Sequence, residues 1–139
     1  FVSRDPATSS GRSVRNLDII EHYLMSQGFE IYYPERHSIS EQADAFSAAS
    51  VVVGIHGAGM TNIVFCQKNA VVVEFYGEHV APCYWAISSL LGLMYHNHCC
   101  ADISRLPASD SARTMSLAAR RIAPFSISID DVKTVLKNL

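Results

Sequence analysis

Val51-Val52-Val53-Gly54-Ile55-His56-Gly57-Ala58-Gly59-Met60-Thr61-Asn62 is the stretch whose reading decides the fold. Its first five residues form a continuous, β-branched apolar run that begins at Ser50. Such a run suits a parallel strand buried on both faces rather than a strand with one wet side. His56 to Gly59 then turns the chain, and Met60 to about Cys66 reads as a helix. A strand, a glycine-rich turn and a helix in immediate succession open a βαβ unit.

Working outward, the same alternation recurs. Upstream, Phe1–Ser3 reads as a strand and Arg4–Gly11 as a polar loop. A helix follows with Leu17, Ile20 and Leu24 on one face and Gly28 as its stop signal. Phe29–Tyr33 is a second strand, ended by Pro34, and Ser40 is the expected N-cap of a helix running to about Ala49. Downstream, Val71–Phe75 is a strand, and a helix from about Pro82 to Leu91 stops at Gly92. Leu93–Cys99 is a further strand, Ala101–Thr114 a surface loop, Ser126–Ile129 a strand or extended run, and Asp130–Leu139 a closing helix. Strands separated by helices need right-handed crossovers, so the expected fold is α/β: a Rossmann-like three-layer domain with a mostly parallel sheet over residues 1–139.

Composition narrows the function classes. Of the 139 residues, 49% are hydrophobic and 17% charged, which suits a sheet covered on both faces or a surface that meets another domain. A formal charge of −2 gives no electrostatic footprint for nucleic acid. No apolar run is long enough for a transmembrane segment. The opening Phe1-Val2-Ser3-Arg4 lacks Met and reads as a fragment of a longer protein. The four cysteines, Cys66, Cys83, Cys99 and Cys100, form no CxxC pair and read as reduced thiols of a cytoplasmic protein.

In an open parallel sheet, ligands bind beyond the carboxyl ends of the strands. Gly57 and Gly59 let the backbone approach an anion, with Gly59 expected in an unusual dihedral. The next helix points N–H groups and its positive dipole end at that anion, and Thr61 and Asn62 in its first turn add donors. Glu74, after three valines, is positioned to accept from a ribose hydroxyl. Taken together, these groups describe a phosphate-and-ribose site, although the turn is GxGxxN rather than the GxGxxG dinucleotide fingerprint.

The order of motifs is specific. Ser3-Arg4, Arg12 with Asn16, Gly28-Phe29, Glu41-Gln42, Val53 to Asn62 and Val72-Val73-Glu74 follow one another over residues 1 to about 76. This succession, with His-Gly-Ala-Gly-x-Thr-Asn at its centre, resembles the catalytic domain of glycosyltransferase family 61. That family includes capsular-polysaccharide-type bacterial proteins and O-linked glycan transferases of animals and plants. Met60 stands where the pattern usually has another apolar residue.

The resemblance implies the C-terminal half of a two-domain GT-B enzyme that holds a nucleotide-sugar donor, with a UDP-sugar the default, and has no tightly bound cofactor. It implies inverting transfer to a glycan or protein hydroxyl acceptor. The acceptor site and general base would then lie in an N-terminal domain outside this chain. The donor-binding residues it implies are Arg4, Arg12, Asn16, Glu41, Gln42, His56, Gly57, Ala58, Gly59, Thr61, Asn62 and Glu74. Arg4 and Arg12 suit a diphosphate, and His56 is the catalytic candidate within the chain. A bacterial protein of this kind would sit in the cytoplasm or peripherally at the inner membrane, and a eukaryotic one in the lumen.

Three rival readings compete. His-Gly-Ala-Gly is similar to the oxyanion loop of lipases, but the chain has no Gly-x-Ser-x-Gly elbow. His96, His98 and Cys100 would share one face of an extended strand and could ligate zinc, but no fourth ligand is evident and no metal is expected. The third is an α/β domain that binds a nucleotide or a partner without catalysis.

Overall fold

A computed structural model of the protein describes residues 1–7, 14–77, 81–100 and 125–139. Arg12 and the expected loop Ala101–Thr114 lie outside the described residues. The elements are α1 (Leu17–Ser26), a 3-10 turn (Pro34–Arg36), α2 (Ile39–Ala48) and β1 (Val51–Ile55). They continue with a 3-10 helix (Ala58–Phe65), β2 (Val71–Tyr76), α3 (Cys83–Leu91), β3 (Met94–Cys99) and α4 (Ile129–Lys137).

The three strands form a parallel sheet in the order β1-β2-β3, with Val51 opposite Val71 and Val71 opposite Met94. The two strands expected upstream shrink to single parallel bridges, as Val2 pairs with both Gly54 and Tyr32. Their backbones still follow the sheet. Val2 N donates to Val53 O at 2.7 Å, Tyr32 N to Phe1 O at 2.8 Å, and Ser3 N to Tyr32 O at 2.9 Å. Pro34, which has no N–H to donate, helps limit how far the second segment can pair. Counting these two segments, the spatial order is Tyr32, Val2, β1, β2, β3. Chain order therefore reverses between Val2 and β1, and that is where open α/β sheets bind ligands.

Helices cover both faces. On one face Val53, Ile55, Val71, Val73 and Phe75 pack with Ile20 and Leu24 of α1, Ile127, and Val132 of α4. On the other, Val52 and Val72 pack with Phe46 of α2, Met60 and Ile63 of the 3-10 helix, and Tyr84 of α3. Fully burying one such side chain contributes about 1.5–3 kcal/mol, so the two clusters dominate the stabilisation. Gly54 is required by this packing: a Cβ there would lie 2.2 Å from the sulfur of Met60.

Four local expectations change. The helix after the turn is a 3-10 helix, and its fully buried residues, Met60 and Ile63, are three apart. A helix of three residues per turn stacks such positions on one side. Helix α2 is capped by Ser38, not Ser40, in a capping box with Glu41. The Ser-x-x-Glu spacing needed for that box exists only from Ser38. Of the two readings of Ser126–Ile129, the strand does not form: residues 126–128 carry no regular element, Phe125 bridges to Val14, and α4 begins at Ile129 with Ser128 as its extended cap. Gly59 is not in the left-handed region; among the described glycines only Gly28 (φ 87°) and Gly92 (φ 68°) are, both just past helix ends. No helix among the described residues is long and apolar enough to cross a membrane.

Candidate functional site

The site grows from the carboxyl ends of β1 and β2 at the point where strand order reverses. Side chains alternate along a strand, so Val52, Gly54 and then His56 emerge on the face covered by α2 and α3. On β2, in register, Val72 and Glu74 point the same way. The imidazole of His56 and the carboxylate of Glu74 meet there through Nδ1 and Oε1. Both are buried: Glu74 is 1% exposed and His56 8%.

Glu74 has a second partner, the hydroxyl of Tyr95 on β3, which donates to Oε2. Burial and the neighbouring carboxylate push the Tyr95 hydroxyl well above its ordinary value, so it stays protonated and acts as the donor. Two protein donors thus occupy the two oxygens of Glu74. Glu74 stands behind His56 rather than in line with a ribose, as its position at the strand end had suggested.

The turn itself is held from two sides. Arg4 Nη2 donates to the carbonyl of His56 at 2.7 Å, reaching across the switch point. The Tyr84 hydroxyl donates to the carbonyl of Gly57 at 2.5 Å, and its ring lies 5.3 Å from that of His56. Gly57 is in extended backbone (φ 167°), so its need for glycine comes from contact: a Cβ would sit 2.4 Å from Arg4 Nη2. Gly59 is also tightly placed: a Cβ would lie 3.1 Å from Pro34 Cγ and 3.2 Å from Val2 Cγ1, side chains that would have to give by a few tenths of an ångström. No side chain caps the amino end of the 3-10 helix that follows.

The residues flanking Arg4 are anchored separately. The Ser3 hydroxyl donates to Glu21 at 2.5 Å, and Tyr33 donates to the same carboxylate at 3.1 and 3.2 Å. Asp5 accepts from Arg36 Nε at 3.0 Å and Nη2 at 2.9 Å, a bidentate pair that holds the Asp5 carboxyl down at about 2. Arg36 also lies 4.3 Å over the ring of Tyr33. The segment carrying Arg4 is therefore fixed before any ligand arrives.

The other candidates are placed unequally. Ala58 and Thr61 are exposed at the start of the 3-10 helix. Asn62 donates to Gln42 Oε1 at 2.6 Å, and Gln42 Nε2 donates to Pro34 O at 2.9 Å and His37 O at 2.8 Å. Gln42 and Asn62 thereby tie α2 to the helix after the turn. Glu41 is engaged with Ser38 in the capping box. Asn16 lies away from the turn: its amide donates to Ile127 O at 2.7 Å and accepts from Ile127 N at 3.1 Å, clamping the C-terminal segment to the core. Arg12 is outside the described residues.

The geometry thus joins Arg4, His56, Gly57, Gly59 and Glu74 directly, with Gln42 and Asn62 as a brace. Sequence reasoning missed Tyr84 and Tyr95, whose part depends on partners 27 and 21 residues distant in the chain. Their signal is thin: a tyrosine near a helix start, and one on the β3 face that Val72 and Glu74 share. His98 pairs with Asp131 at 3.3 Å, and the described residues contain no group of three or more His, Cys, Asp or Glu able to hold a metal ion.

Comparison with known proteins agrees with the motif order. The EGF domain-specific O-linked N-acetylglucosamine transferase of Xenopus laevis is 38% identical over 61 residues, 44% of this chain and 10% of that protein. A beta-1,2-xylosyltransferase of Arabidopsis thaliana is 38% identical over 60 residues, 42% of this chain and 11% of that protein. The alpha-1,3-arabinosyltransferase XAT3 of Oryza sativa subsp. japonica is 35% identical over 66 residues, 45% of this chain and 12% of that protein. The shared part is thus about a tenth of each relative. The family model described as Glycosyltransferase 61 matches residues 1–73, more than half of the chain and all of the site up to the strand bearing Glu74. The chain belongs to the Glycosyltransferase 61 family.

Proposed function

We propose that this chain is the donor-binding half of a GT-B glycosyltransferase, and that it holds a nucleoside diphosphate sugar at the turn His56–Gly59. One observation carries this reading: Arg4 and the glycine-rich turn meet at the switch point of a parallel sheet, beside an uncapped helix amino end. A guanidinium, close-approach backbone and a helix amino end without a side-chain cap all favour a diphosphate. Arg12 and Thr61 belong to the same proposed site.

In the reaction proposed for the whole protein, an acceptor hydroxyl oxygen attacks the anomeric carbon with inversion. The bond from that carbon to the β-phosphate oxygen breaks, and the nucleoside diphosphate leaves. The acceptor's proton passes to a base outside this chain, and the part played here is stabilisation of the leaving diphosphate. The printed names of the relatives cover N-acetylglucosaminyl, xylosyl and arabinosyl transfer, so the family leaves the sugar open. UDP is the proposed nucleotide.

The test is calorimetry of the intact protein with UDP, GDP, CDP and dTDP. Uridine nucleotides should bind best, and Arg4→Ala should weaken binding by roughly tenfold or more, the loss of one charge-assisted contact. No binding of any nucleotide up to about millimolar concentration sinks the assignment, since even partial sites for such ligands reach that range. Nucleotide binding by an intact protein that transfers no sugar favours the non-catalytic binding domain.

A further inference from the structure

Two carbonyl groups of the turn are pinned by side chains, and each pinned carbonyl aims an N–H. In a trans peptide the C=O of one residue and the N–H of the next point in opposite directions within one plane. Arg4 holds the His56 carbonyl, which fixes the direction of the Gly57 N–H. Tyr84 holds the Gly57 carbonyl, which fixes that of the Ala58 N–H. Gly57 O also accepts from Met60 N at 2.9 Å, so two donors share it. The N–H groups of Gly57, Ala58 and Gly59 donate to no other described residue.

Tyr84 is built to hold its carbonyl still. It is 6% exposed and packs in the core with Val52, Val72, Met60 and Ile63. As the second residue of α3, it brings its hydroxyl to the turn from a helix rather than from a loop. A ring fixed by packing delivers that hydroxyl before any ligand arrives, which is how a preorganised site avoids an ordering cost on binding. The Gly57 carbonyl is thus drawn towards the core, and the Ala58 N–H is turned away from it, at an exposed residue.

We propose that Tyr84 is a positioning residue for the donor diphosphate: by holding the Gly57 carbonyl from the core, it aims the Ala58 N–H at a phosphate oxygen. This rests on the donor-binding reading above. Arg4 performs the same service for the Gly57 N–H and adds its charge, whereas Tyr84 contributes direction alone. Its hydroxyl touches the peptide and not the ligand, so removing it deletes no ligand contact. Without it the peptide between Gly57 and Ala58 is held by Met60 N and is free to tilt. Hydrogen bonds weaken steeply as their angle falls, so a tilted N–H is a poorer donor to the phosphate.

The experiment titrates the intact protein, nitrogen-labelled at alanine and glycine, with UDP and follows the amide protons by NMR, with calorimetry for Kd. An amide that donates to a phosphate oxygen moves downfield, and Ala58 and Gly57 should both do so at saturating UDP. Tyr84→Phe removes one oxygen and keeps the ring. It should raise the Kd of UDP roughly three- to tenfold, the worth of about one hydrogen bond. At saturation its Ala58 shift should shrink while that of Gly57, aimed by Arg4, persists. Val132→Ala, buried in the opposite core cluster, lowers stability without touching the turn and should leave both readings at parent values. A saturated Ala58 shift in Tyr84→Phe equal to the parent's overturns the proposal, because a merely structural tyrosine gives that result. So does an equal loss of UDP affinity in Val132→Ala. UDP bound by the parent with no downfield movement of Ala58 overturns it whether or not the variant folds, and leaves the donor site standing. No UDP binding at all overturns both.

Discussion

The two ends of the sheet are built on opposite principles. At the carboxyl ends, buried polar atoms are paired: Glu74 with His56 and Tyr95, Tyr84 with Gly57, Arg4 with His56, Gln42 with Asn62. At the amino ends there is a cavity of about 400 Å³ lined by Phe1, Phe29, Ala45, Phe46, Ala49 and Val51 among others. The Tyr32 hydroxyl is buried there with no hydrogen-bond partner among the described residues, and its own ring stacks 4.6 Å from that of His37. The described residues thus place a cavity at the amino ends and a set of paired polar groups at the carboxyl ends. Ligand sites usually combine both, but at a parallel sheet the backbone geometry favours the carboxyl end, and the paired groups are there. Pre-organised polar groups cost desolvation energy in the folded state, and such a cost is retained where chemistry needs it.

The strongest way to break this comparison is Glu74→Ala. Sequence position alone suggests a surface carboxylate whose loss lowers nucleotide affinity and leaves stability almost untouched. Burial and two donors predict otherwise: deleting it strands the buried His56 ring and takes the acceptor from the half-buried Tyr95 hydroxyl, and should cost about 1–3 kcal/mol. Denaturant unfolding of the variant measures this directly. A change under about 1 kcal/mol, the level of an ordinary surface substitution, would mean the carboxyl end is not organised as described.

A smaller effect is expected at Asp5. Its carboxyl drops from the usual 3.8 to about 2 because Arg36 binds it. A carboxyl whose pKa is lower in the folded state stabilises the fold above its unfolded value and loses that contribution as pH falls through the folded one. Asp5→Asn should therefore melt below the parent at neutral pH, with the gap closing between about pH 4 and pH 2. Its nucleotide affinity should fall as well, because Asp5 anchors the segment that carries Arg4. A melting gap that persists unchanged at acid pH would assign Asp5 a role other than its ion pair.

The smallest effect sharpens the other half. Ala45 lines the cavity at the amino end, so Ala45→Leu should fill part of it with a stability change of about 1 kcal/mol or less. UDP affinity should be unaltered. A loss of affinity beyond a fewfold would move the ligand site to the cavity and away from His56.

Much of the fold is legible in the sequence because local pattern and tertiary role agree. Val51–Ile55 and Val71–Phe75 read as buried strands and are, with the expected helices around them and Gly28 and Gly92 closing α1 and α3 in left-handed conformations. Other features escape because their cause is distant. The segments at Val2 and Tyr32 have strand-like residues, yet pairing length is decided by neighbours rather than propensity. The glycines of the turn lie in close approach to Arg4, Pro34 and Val2, which no dihedral argument anticipates.

By itself the sequence determined the α/β alternation, the place where a glycine-rich turn leaves a buried strand, and the family. Each of these is carried by residues adjacent in the chain or by their order along it. Only the tertiary structure decided what the polar residues do. It made Asn16 a clamp on Ile127, Gln42 a brace, and Glu74 the partner of a histidine and a tyrosine. The reason is physical: a carboxylate at a strand end has the same sequence signature whether it faces solvent, a ribose or an imidazole. Which of these it meets depends on the register of β2 against β1 and β3, a relation between segments that no one of them encodes alone.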